Sequence, residues 1–299
     1  MAVHYPVLLD EVEQFLAVDP HGVYVDCTVG LGGYAERILS RLETGRLIAI
    51  DRDAEAIEAA RRRLAPFGER VIFQQASYGE IEQALGALAP ASGVVADLGL
   101  SRAQVEDAER GFSFQRSGPL DMRFDRRQQR TAEEIVNHWD ERELADLIYR
   151  YGEERASRRI ARAIVRSRPL RDTAHLAAVV DKAMPRAGRG RMHPATRTFQ
   201  ALRIAVNQEL DELDKLLEAT PPLLRADGRF VVVTFHSLED RRVKEAFRRW
   251  ASSGAYELLT RRVVRPSEKE IGENVASRSA KLRALRRKDL DGSLSRRSA

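Results

Sequence analysis

The stretch that decides the fold is VYVDCTVGLGG (residues 23–33), a run of strand-forming residues that ends in a glycine-rich loop. Further short apolar runs follow at residues 46–50, 71–73 and 93–98, with amphipathic helical patterns between them. Strands separated by helices of this length pair in parallel through right-handed crossovers. Strands that are apolar along their whole length are typical of a sheet covered on both faces. The first hundred residues therefore predict a parallel α/β sheet.

After about residue 100 the alternation of strands and helices stops. Residues 131–220 have helical periodicity almost throughout, and the strand pattern returns only at residues 228–235, followed by two short candidates at 256–262 and 280–285. We therefore expect one α/β domain, residues 1–103 and 212–299. An all-helical domain, residues 104–211, would interrupt it and recognise the substrate.

The formal net charge of +5 is unevenly distributed along the chain. Residues 1–101 carry a net charge of −7, whereas residues 102–210 carry +6 and residues 261–299 carry +7. Within the middle block the positive charge is concentrated in residues 150–203. Basic clusters on an otherwise acidic to neutral chain are typical of proteins that bind a polyanion through particular surfaces. The distribution favours a nucleic-acid partner.

Composition also excludes several classes of protein. The lone cysteine, Cys27, excludes a disulfide scaffold and a cysteine-based zinc cluster, and the histidines lack the spacing of metal ligands. The N-terminus lacks the basic and apolar regions of a secretory signal, and no apolar run approaches the ~20 residues of a membrane span. We expect a soluble, cytoplasmic protein that uses no metal and no membrane.

The glycine loop and a carboxylate downstream of it predict a nucleotide-like ligand. Ligands of open α/β sheets bind beyond the carboxyl ends of the strands, and the glycines allow backbone amides to approach such a ligand. Asp51 ends the second strand, where a carboxylate accepts hydrogen bonds from ribose hydroxyls. The spacing Gly30-x-Gly32-x-x-Ala35 also satisfies the relaxed dinucleotide pattern. A nicotinamide-dependent oxidoreductase is therefore an alternative.

Three features favour S-adenosylmethionine over a nicotinamide cofactor. Asp26 places a carboxylate within the first strand, near the position of a ligand ammonium group that NAD lacks. Asp97 ends the fourth strand, where methyl transfer needs polar groups near the sulfonium. The last two strand candidates fit the closing hairpin that is common in methyltransferase sheets.

Long segments across the chain carry a resemblance to one family. They are residues 4–12 (HYPVLLDEV), 97–101 (DLGLS), 107–114 (DAERGFSF), 118–123 (GPLDMR), 151–154 (YGEE), 193–200 (HPATRTFQ), 235–240 (FHSLED) and 277–283 (SRSAKLR). By these segments and the glycine loop, the chain resembles the bacterial 16S ribosomal RNA (cytosine-N4) methyltransferase family over nearly its whole length. The resemblance implies a Rossmann-like S-adenosylmethionine-dependent methyltransferase sheet with an inserted all-helical domain. It also implies methyl transfer to N4 of one cytidine in the decoding region of small-subunit ribosomal RNA.

The same resemblance implies a set of cofactor-binding residues. They are Gly32, Gly33, Tyr34, Asp51, Tyr78, Asp97 and Gln104. The ring of Tyr78 would pack on the adenine. The chain departs from the family where Tyr34 replaces a frequent histidine and where Arg102-Ala103 replaces a common Ser-Pro. Because contacts made by the backbone survive such changes, we expect cofactor binding to be retained.

The chemistry calls for a group that faces the amine of cytosine, whose lone pair is delocalised into the ring. Positioning and electrostatics supply most of the acceleration, and a carboxylate or carbonyl can accept an N4 proton. The candidates for this group are Asp97, then Asp121 and His236. Asp97 is equally explained by contact with the cofactor alone, Asp121 by an ion pair with Arg123, and His236 by capping of the next helix.

Arginines of the basic middle segment are the candidates for RNA binding. They are Arg155, Arg158, Arg159, Arg162 and Arg166, which recur at helical spacing, and Arg189, Arg191 and Arg197, which lie near a glycine-broken loop. Such a stripe can follow phosphates, and it also fits a solvated helix face. The expected partner is small-subunit ribosomal RNA within the 30S subunit. A homodimer is left open, and a non-catalytic RNA-binding protein on the same fold is a further alternative.

Overall fold

The alternating apolar runs form a seven-stranded sheet. The computed structural model describes residues 6–184 and 193–289. Its strands are β1 (Val23–Asp26), β2 (Arg46–Asp51), β3 (Val71–Gln75), β4 (Ala91–Asp97), β5 (Leu224–Thr234), β6 (Tyr256–Leu258) and β7 (Lys281–Arg287). β1 to β5 pair in parallel and β7 runs antiparallel to β5 and β6, in the order β3-β2-β1-β4-β5-β7-β6. The predicted parallel α/β sheet with an antiparallel closing pair is confirmed.

The chain divides into two compact units. Residues up to Gly99 and from Asp211 onward form the first, which we call the sheet unit, and Leu100–Leu210 form the second, the helical unit. The helices up to Gly99 are α1 (Leu9–Leu16), α2 (Gly33–Leu39), α3 (Ala54–Leu64) and α4 (Ile81–Leu85). The later ones are α11 (Glu209–Leu223), within which the boundary at residue 211 falls, α12 (Ser237–Ser252) and α13 (Glu268–Glu273).

Both faces of the sheet are apolar. Successive side chains of a strand point to opposite sides, and here each side packs into a buried cluster. In β5, Val231 and Val233 pack into one buried cluster with residues of α1, α2 and α3. Phe230 and Val232 pack into a second buried cluster with residues of α4, α11 and α12. Two-sided burial explains why the parallel strands read as continuous apolar runs in the sequence.

The helical unit has a buried apolar core of its own. Its helices are α5 (Arg102–Glu106), α6 (Ala132–His138), α7 (Glu141–Gly152), α8 (Ser157–Arg166), α9 (Thr173–Ala183) and α10 (Ala195–Asn207). None of the helices in the described part of the chain is long and apolar enough to cross a membrane.

A buried asparagine organises the long segment between α5 and α6. The Asn207 amide nitrogen donates to the carbonyl oxygens of Met122 (2.7 Å) and Arg203 (2.9 Å), and its Oδ1 accepts from the backbone N–H of Phe124 (2.8 Å). Met122 has a left-handed backbone conformation, with φ of 61°, which is uncommon for a residue other than glycine. Asn207 therefore stabilises a turn that would otherwise bury unpaired backbone groups.

Replacement of this asparagine should destabilise the helical unit. In Asn207→Ala the Phe124 N–H and the Met122 carbonyl lose their partner, so we expect the free energy of unfolding to fall by about 2–4 kcal/mol. Urea unfolding followed by circular dichroism measures the change. Gln115→Ala, at an exposed position of the same segment, is the matched control and should leave the midpoint unchanged. An unchanged midpoint for Asn207→Ala would contradict this role.

Candidate active site

Three aspartates end three adjacent parallel strands. Asp26 ends β1, and its register partners are Ala49 in β2 and Val95 in β4. Asp51 and Asp97 each lie two residues beyond those partners. Because side chains alternate with a period of two, the three carboxylates leave the sheet on the same side, at the edge where ligands of open α/β sheets bind.

A threonine ties the ends of β1 and β4 together. The Oδ1 atom of the fully buried Asp26 accepts from the backbone N–H of Thr28 (3.2 Å), and Oγ1 of Thr28 accepts from the backbone N–H of Asp97 (2.7 Å). The remaining buried oxygens, Oδ2 of Asp26 and Oδ1 of Asp97, have no hydrogen-bond partner among the described residues. Buried polar atoms are nearly always paired, so these two oxygens point to a ligand that brings its own donor or positive charge.

The electrostatics of the site lead to the same conclusion. Burial raises the pKa of Asp26 to about 7, and the charge of Asp51 acts in the same direction. Burial likewise raises the pKa of Asp51 to about 6. The pKa of Asp97 lies well above its usual value because the carboxyl is buried and stands near Asp26. A cation bound among the three carboxyls would favour their ionised forms.

Asp51 also organises the glycine loop. Its Oδ2 accepts from the backbone N–H of Gly30 (2.9 Å), and its Oδ1 accepts from the backbone N–H of Asp53 (2.9 Å), which caps α3. Gly30 and Gly32 adopt positive φ angles of 50° and 83°, which glycine accepts without steric cost. The loop and the carboxylate that the sequence singles out therefore lie in contact, 21 residues apart in the chain.

The N-terminal segment packs against the start of α2. A Cβ atom on Gly33 would lie 2.2 Å from Cγ of Pro6, so only glycine fits there. The buried Tyr34 hydroxyl donates to the carbonyl oxygen of Val7. Burial raises the pKa of Tyr34 well above its usual value, and the nearby Asp97 adds to the shift. The side chain that replaces a histidine frequent in the resembled family thus attaches the N-terminal segment to the site.

Tyr78 and Gln104 occupy capped turns. Tyr78 is half-buried in a single helical turn, Tyr78–Glu80, that follows β3. Gln104 belongs to the helical unit, where its Oε1 accepts from the backbone N–H of Ser101 (3.0 Å) and its own N–H donates to Oγ of Ser101 (3.2 Å). These contacts explain the local conformations, and the cofactor roles of both residues stay predictions.

Asp121 forms the ion pair that its spacing allows. The Arg123 guanidinium donates to both carboxylate oxygens of Asp121, each at 2.8 Å. Burial raises the pKa of Asp121, but the hydrogen bonds from Arg123 outweigh it, so the net shift is downward. A carboxylate held in this way is a weak proton acceptor.

His236 caps α12. Its Nδ1 accepts from the backbone N–H of Glu239 (3.4 Å), and Oε2 of Glu239 accepts in return from the backbone N–H of His236 (3.2 Å). The spacing His-x-x-Glu is that of a reciprocal helix cap, so this contact was visible in the sequence. A catalytic role of His236 stays a prediction.

The arginine stripe lies on the exposed side of α8. Arg158, Arg159, Arg162 and Arg166 are exposed within the helix, and Arg155 is exposed in the turn before it. The opposite side, with Ile160 and Ile164, is buried in the core of the helical unit. Arg162 also pairs with Glu141 (3.2 Å).

The other arginine candidates are less well defined. Arg197 is exposed on α10 and donates to Glu154 Oε2 (3.4 Å). Arg189 and Arg191 lie outside the described residues.

Sequence reasoning missed the role of Thr28. Its hydroxyl and its amide join two acidic strand ends that are 71 residues apart in the chain, at positions 26 and 97. The only sequence signal is a hydroxyl residue two positions after a strand-ending aspartate, which many unrelated turns share.

Comparisons with known proteins agree with the predicted family. The model of the MraW methylase family matches residues 1–288. A ribosomal RNA small subunit methyltransferase H from Solibacter usitatus is 51% identical over 285 residues, which cover 95% of this chain and 99% of that protein. The protein of the same name from Koribacter versatilis is 53% identical over 296 residues, covering 95% of this chain and 94% of that protein. By this match and these relatives, the chain belongs to the MraW methylase family.

Proposed function

We propose that this protein transfers the methyl group of S-adenosylmethionine to N4 of a cytidine in the decoding region of 16S ribosomal RNA. The observation that carries the proposal is the pair of buried, unpartnered carboxylate oxygens on Asp26 and Asp97. S-adenosylmethionine has a sulfonium and an ammonium group that would balance such charges, whereas NAD has no ammonium group. Membership of a methylase family supports the same choice, and the names of the relatives support ribosomal RNA as the acceptor.

The residues of the site fit this cofactor. Asp51 accepts backbone hydrogen bonds from Gly30 and Asp53, and a carboxylate has about four acceptor positions, so it can also accept from a ribose hydroxyl. The backbone of Gly32 and Gly33 would face the methionine portion, and Tyr78 would pack on the adenine. When bound, S-adenosylmethionine supplies an electrophilic methyl group on its sulfonium.

Asp97 is our choice for the residue that faces the amine. It lies at the carboxyl end of β4, and its Oδ1 has no hydrogen-bond partner among the described residues, so this oxygen is available to a donor such as the cytosine amine. Asp97 would accept a hydrogen bond from the cytosine amine and then receive the N4 proton. Asp121 is less suited because Arg123 already occupies both of its oxygens.

We propose that the helical domain, residues 104–211, recognises the RNA, with the arginine stripe on α8 following its phosphates. Target cytosines in folded RNA must be unstacked before they reach a donor methyl group. We further propose that the acceptor is presented within the 30S subunit, which places the enzyme in the cytoplasm.

Methyl transfer to small subunits tests the proposal. Purified protein, labelled S-adenosylmethionine and 30S subunits from a strain lacking this modification should yield N4-methylcytidine, detected by mass spectrometry of the rRNA nucleosides. Asp51→Ala should weaken cofactor binding about 10- to 100-fold, because hydrogen bonds to a charged group are lost. Isothermal titration calorimetry with S-adenosylhomocysteine measures that change.

Specific outcomes would contradict this assignment. Saturable binding of NAD(P)H with no affinity for S-adenosylmethionine would favour an oxidoreductase. Unmodified rRNA after incubation with cofactor-bound protein would favour a non-catalytic RNA-binding protein. If Asp51→Ala bound the cofactor with normal affinity, Asp51 would not be a cofactor-binding residue.

Cofactor affinity should increase with pH. With a pKa of about 7 for Asp26 and about 6 for Asp51, both carboxyls are partly protonated near pH 6. Only ionised Asp26 attracts the positive charge of the cofactor, and ionised Asp51 is the stronger hydrogen-bond acceptor for a ribose hydroxyl. We expect the dissociation constant of the cofactor, measured by calorimetry, to fall as the pH rises from 5.5 to 8. Asp26→Asn should weaken cofactor binding and make it less dependent on pH. A pH-independent wild-type affinity would contradict the charge assignment.

The same aspartate should affect the stability of the ligand-free protein. Because its folded pKa is raised, Asp26 contributes most to stability below pH 4, and the contribution is lost as pH rises toward 7. Asp26→Asn should therefore raise the free energy of unfolding of the ligand-free protein at pH 8 by about 1–2 kcal/mol. Denaturant unfolding at pH 5 and pH 8 checks the sign.

Charge reversal on α8 should impair RNA binding and spare the cofactor site. We expect Arg158→Glu plus Arg162→Glu to weaken binding to 30S subunits and to reduce the slope of log affinity against log salt by about 1–2. Arg46→Glu plus Arg248→Glu, at exposed positions of the sheet unit, changes the net charge equally and is the matched control. Equal effects of the two pairs would show that only the net charge matters.

A further inference from the structure

We propose that Glu212 is a positioning residue for cofactor binding. It holds the turn that carries Tyr78 and thereby sets the affinity for the adenosine end of the cofactor. The inference rests on the proposed function, in which Tyr78 packs on the adenine, and it assigns a role to a residue that does not itself touch the cofactor.

The Glu212 carboxylate joins α11 to the turn after β3. The Ser77 hydroxyl donates to Oε2 of Glu212, and Nζ of Lys215 donates to Oε1 (2.8 Å). Glu212 is buried, with 7% of its surface exposed. Ser77 and Glu212 are 135 residues apart in the chain, so their contact fixes a local turn against a distant helix of the same unit.

Ser77 organises the turn at the same time. Its Oγ accepts from the backbone N–H of Gly79 (3.2 Å), and its own backbone N–H donates to Oε2 of Glu80 (2.9 Å). These local bonds set the shape of residues 77–80. The Ser77 hydroxyl accepts a hydrogen bond within the turn and donates one to Glu212 outside it. The bond to Glu212 therefore sets the position of the turn relative to α11.

The turn backbone lies directly against the carboxylate. A Cβ atom on Gly79 would be 2.4 Å from Oε2 of Glu212 and 3.3 Å from Cδ of Lys215. No larger residue fits at position 79 unless the turn or the carboxylate moves. The close approach therefore leaves the residue between Ser77 and Gly79, Tyr78, little freedom to shift.

The contact stays charged at neutral pH. Burial raises the pKa of Glu212, but hydrogen bonds from Lys215 and Ser77 outweigh it and leave the pKa below its usual value. A hydrogen bond to an ionised carboxylate is shorter and stronger than one between neutral groups. Tyr78 packs against the buried cluster that includes residues of α4 and α11. Because Ser77 is its neighbour in the chain, movement of Ser77 would displace the Tyr78 ring from this position. Binding sites tolerate only small displacements of this kind.

The test uses the full-length protein and two ligand measurements. In Glu212→Gln we expect the dissociation constant of S-adenosylhomocysteine, measured by calorimetry, to rise roughly tenfold. The KM for S-adenosylmethionine should rise in parallel, while kcat at saturating cofactor and the KM for 30S subunits stay unchanged. A general structural defect would instead lower the active fraction, and with it kcat.

A double-mutant cycle separates this contact from others made by Glu212. Ser77→Ala should raise the dissociation constant of S-adenosylhomocysteine to a similar extent. The double variant, Ser77→Ala with Glu212→Gln, should bind this ligand no more weakly than the weaker-binding single variant. Glu218→Gln is the matched control, since Glu218 lies on the same helix in an exposed pair with Arg249, and it should bind normally. If Glu212→Gln does not fold, Ser77→Ala and Gly79→Ala test the contact from its other side.

The outcomes distinguish this inference from the proposed function. If the wild-type protein binds S-adenosylhomocysteine and Ser77→Ala and Glu212→Gln bind it equally well, the positioning role is wrong and the proposed function stands. Additive losses in the double variant, or a fall in kcat with an unchanged KM, would also overturn it. If the wild-type protein does not bind this ligand, the proposed function itself fails.

Discussion

The constraint on which the site depends is the burial of carboxyl groups at one edge of a parallel sheet. Parallel register places the ends of β1, β2 and β4 side by side, and each of these strands ends in an aspartate. Two buried oxygens of Asp26 and Asp97 find no donor among the described residues. Burying such groups without a partner is unfavourable, so the edge is suited to a cation and poorly suited to an anion.

The rest of the sheet unit serves to hold these groups in place. Thr28 joins β1 to β4 through its amide and hydroxyl, and Asp51 joins β2 to the glycine loop. Tyr34, which lies near Asp97, attaches the N-terminal segment through the carbonyl oxygen of Val7. The contacts of Thr28 and Asp51 join short side chains to backbone amides. They therefore depend on the positions of the strands, which apolar packing on both faces of the sheet fixes.

Sequence patterns were most informative where the responsible contacts are local. The apolar runs identified the strands because two-sided burial removes polar residues from them. The candidates Asp121 and His236 had local explanations as well, an ion pair two residues away and a helix cap three residues away. In both cases a residue chosen for its chemistry has a structural partner close in the chain.

The sequence by itself determined the α/β class of the fold, the acidic strand ends, the glycine loop and the resemblance to one methyltransferase family. These features follow from short-range periodicity, residue type and long characteristic segments. Only the tertiary structure decided which carboxylate oxygens stay unpaired and which pKa values rise, and that Glu212 supports the turn of Tyr78. The physical reason is that burial and hydrogen-bond pairing depend on residues brought together from distant parts of the chain, as in the contact between Ser77 and Glu212.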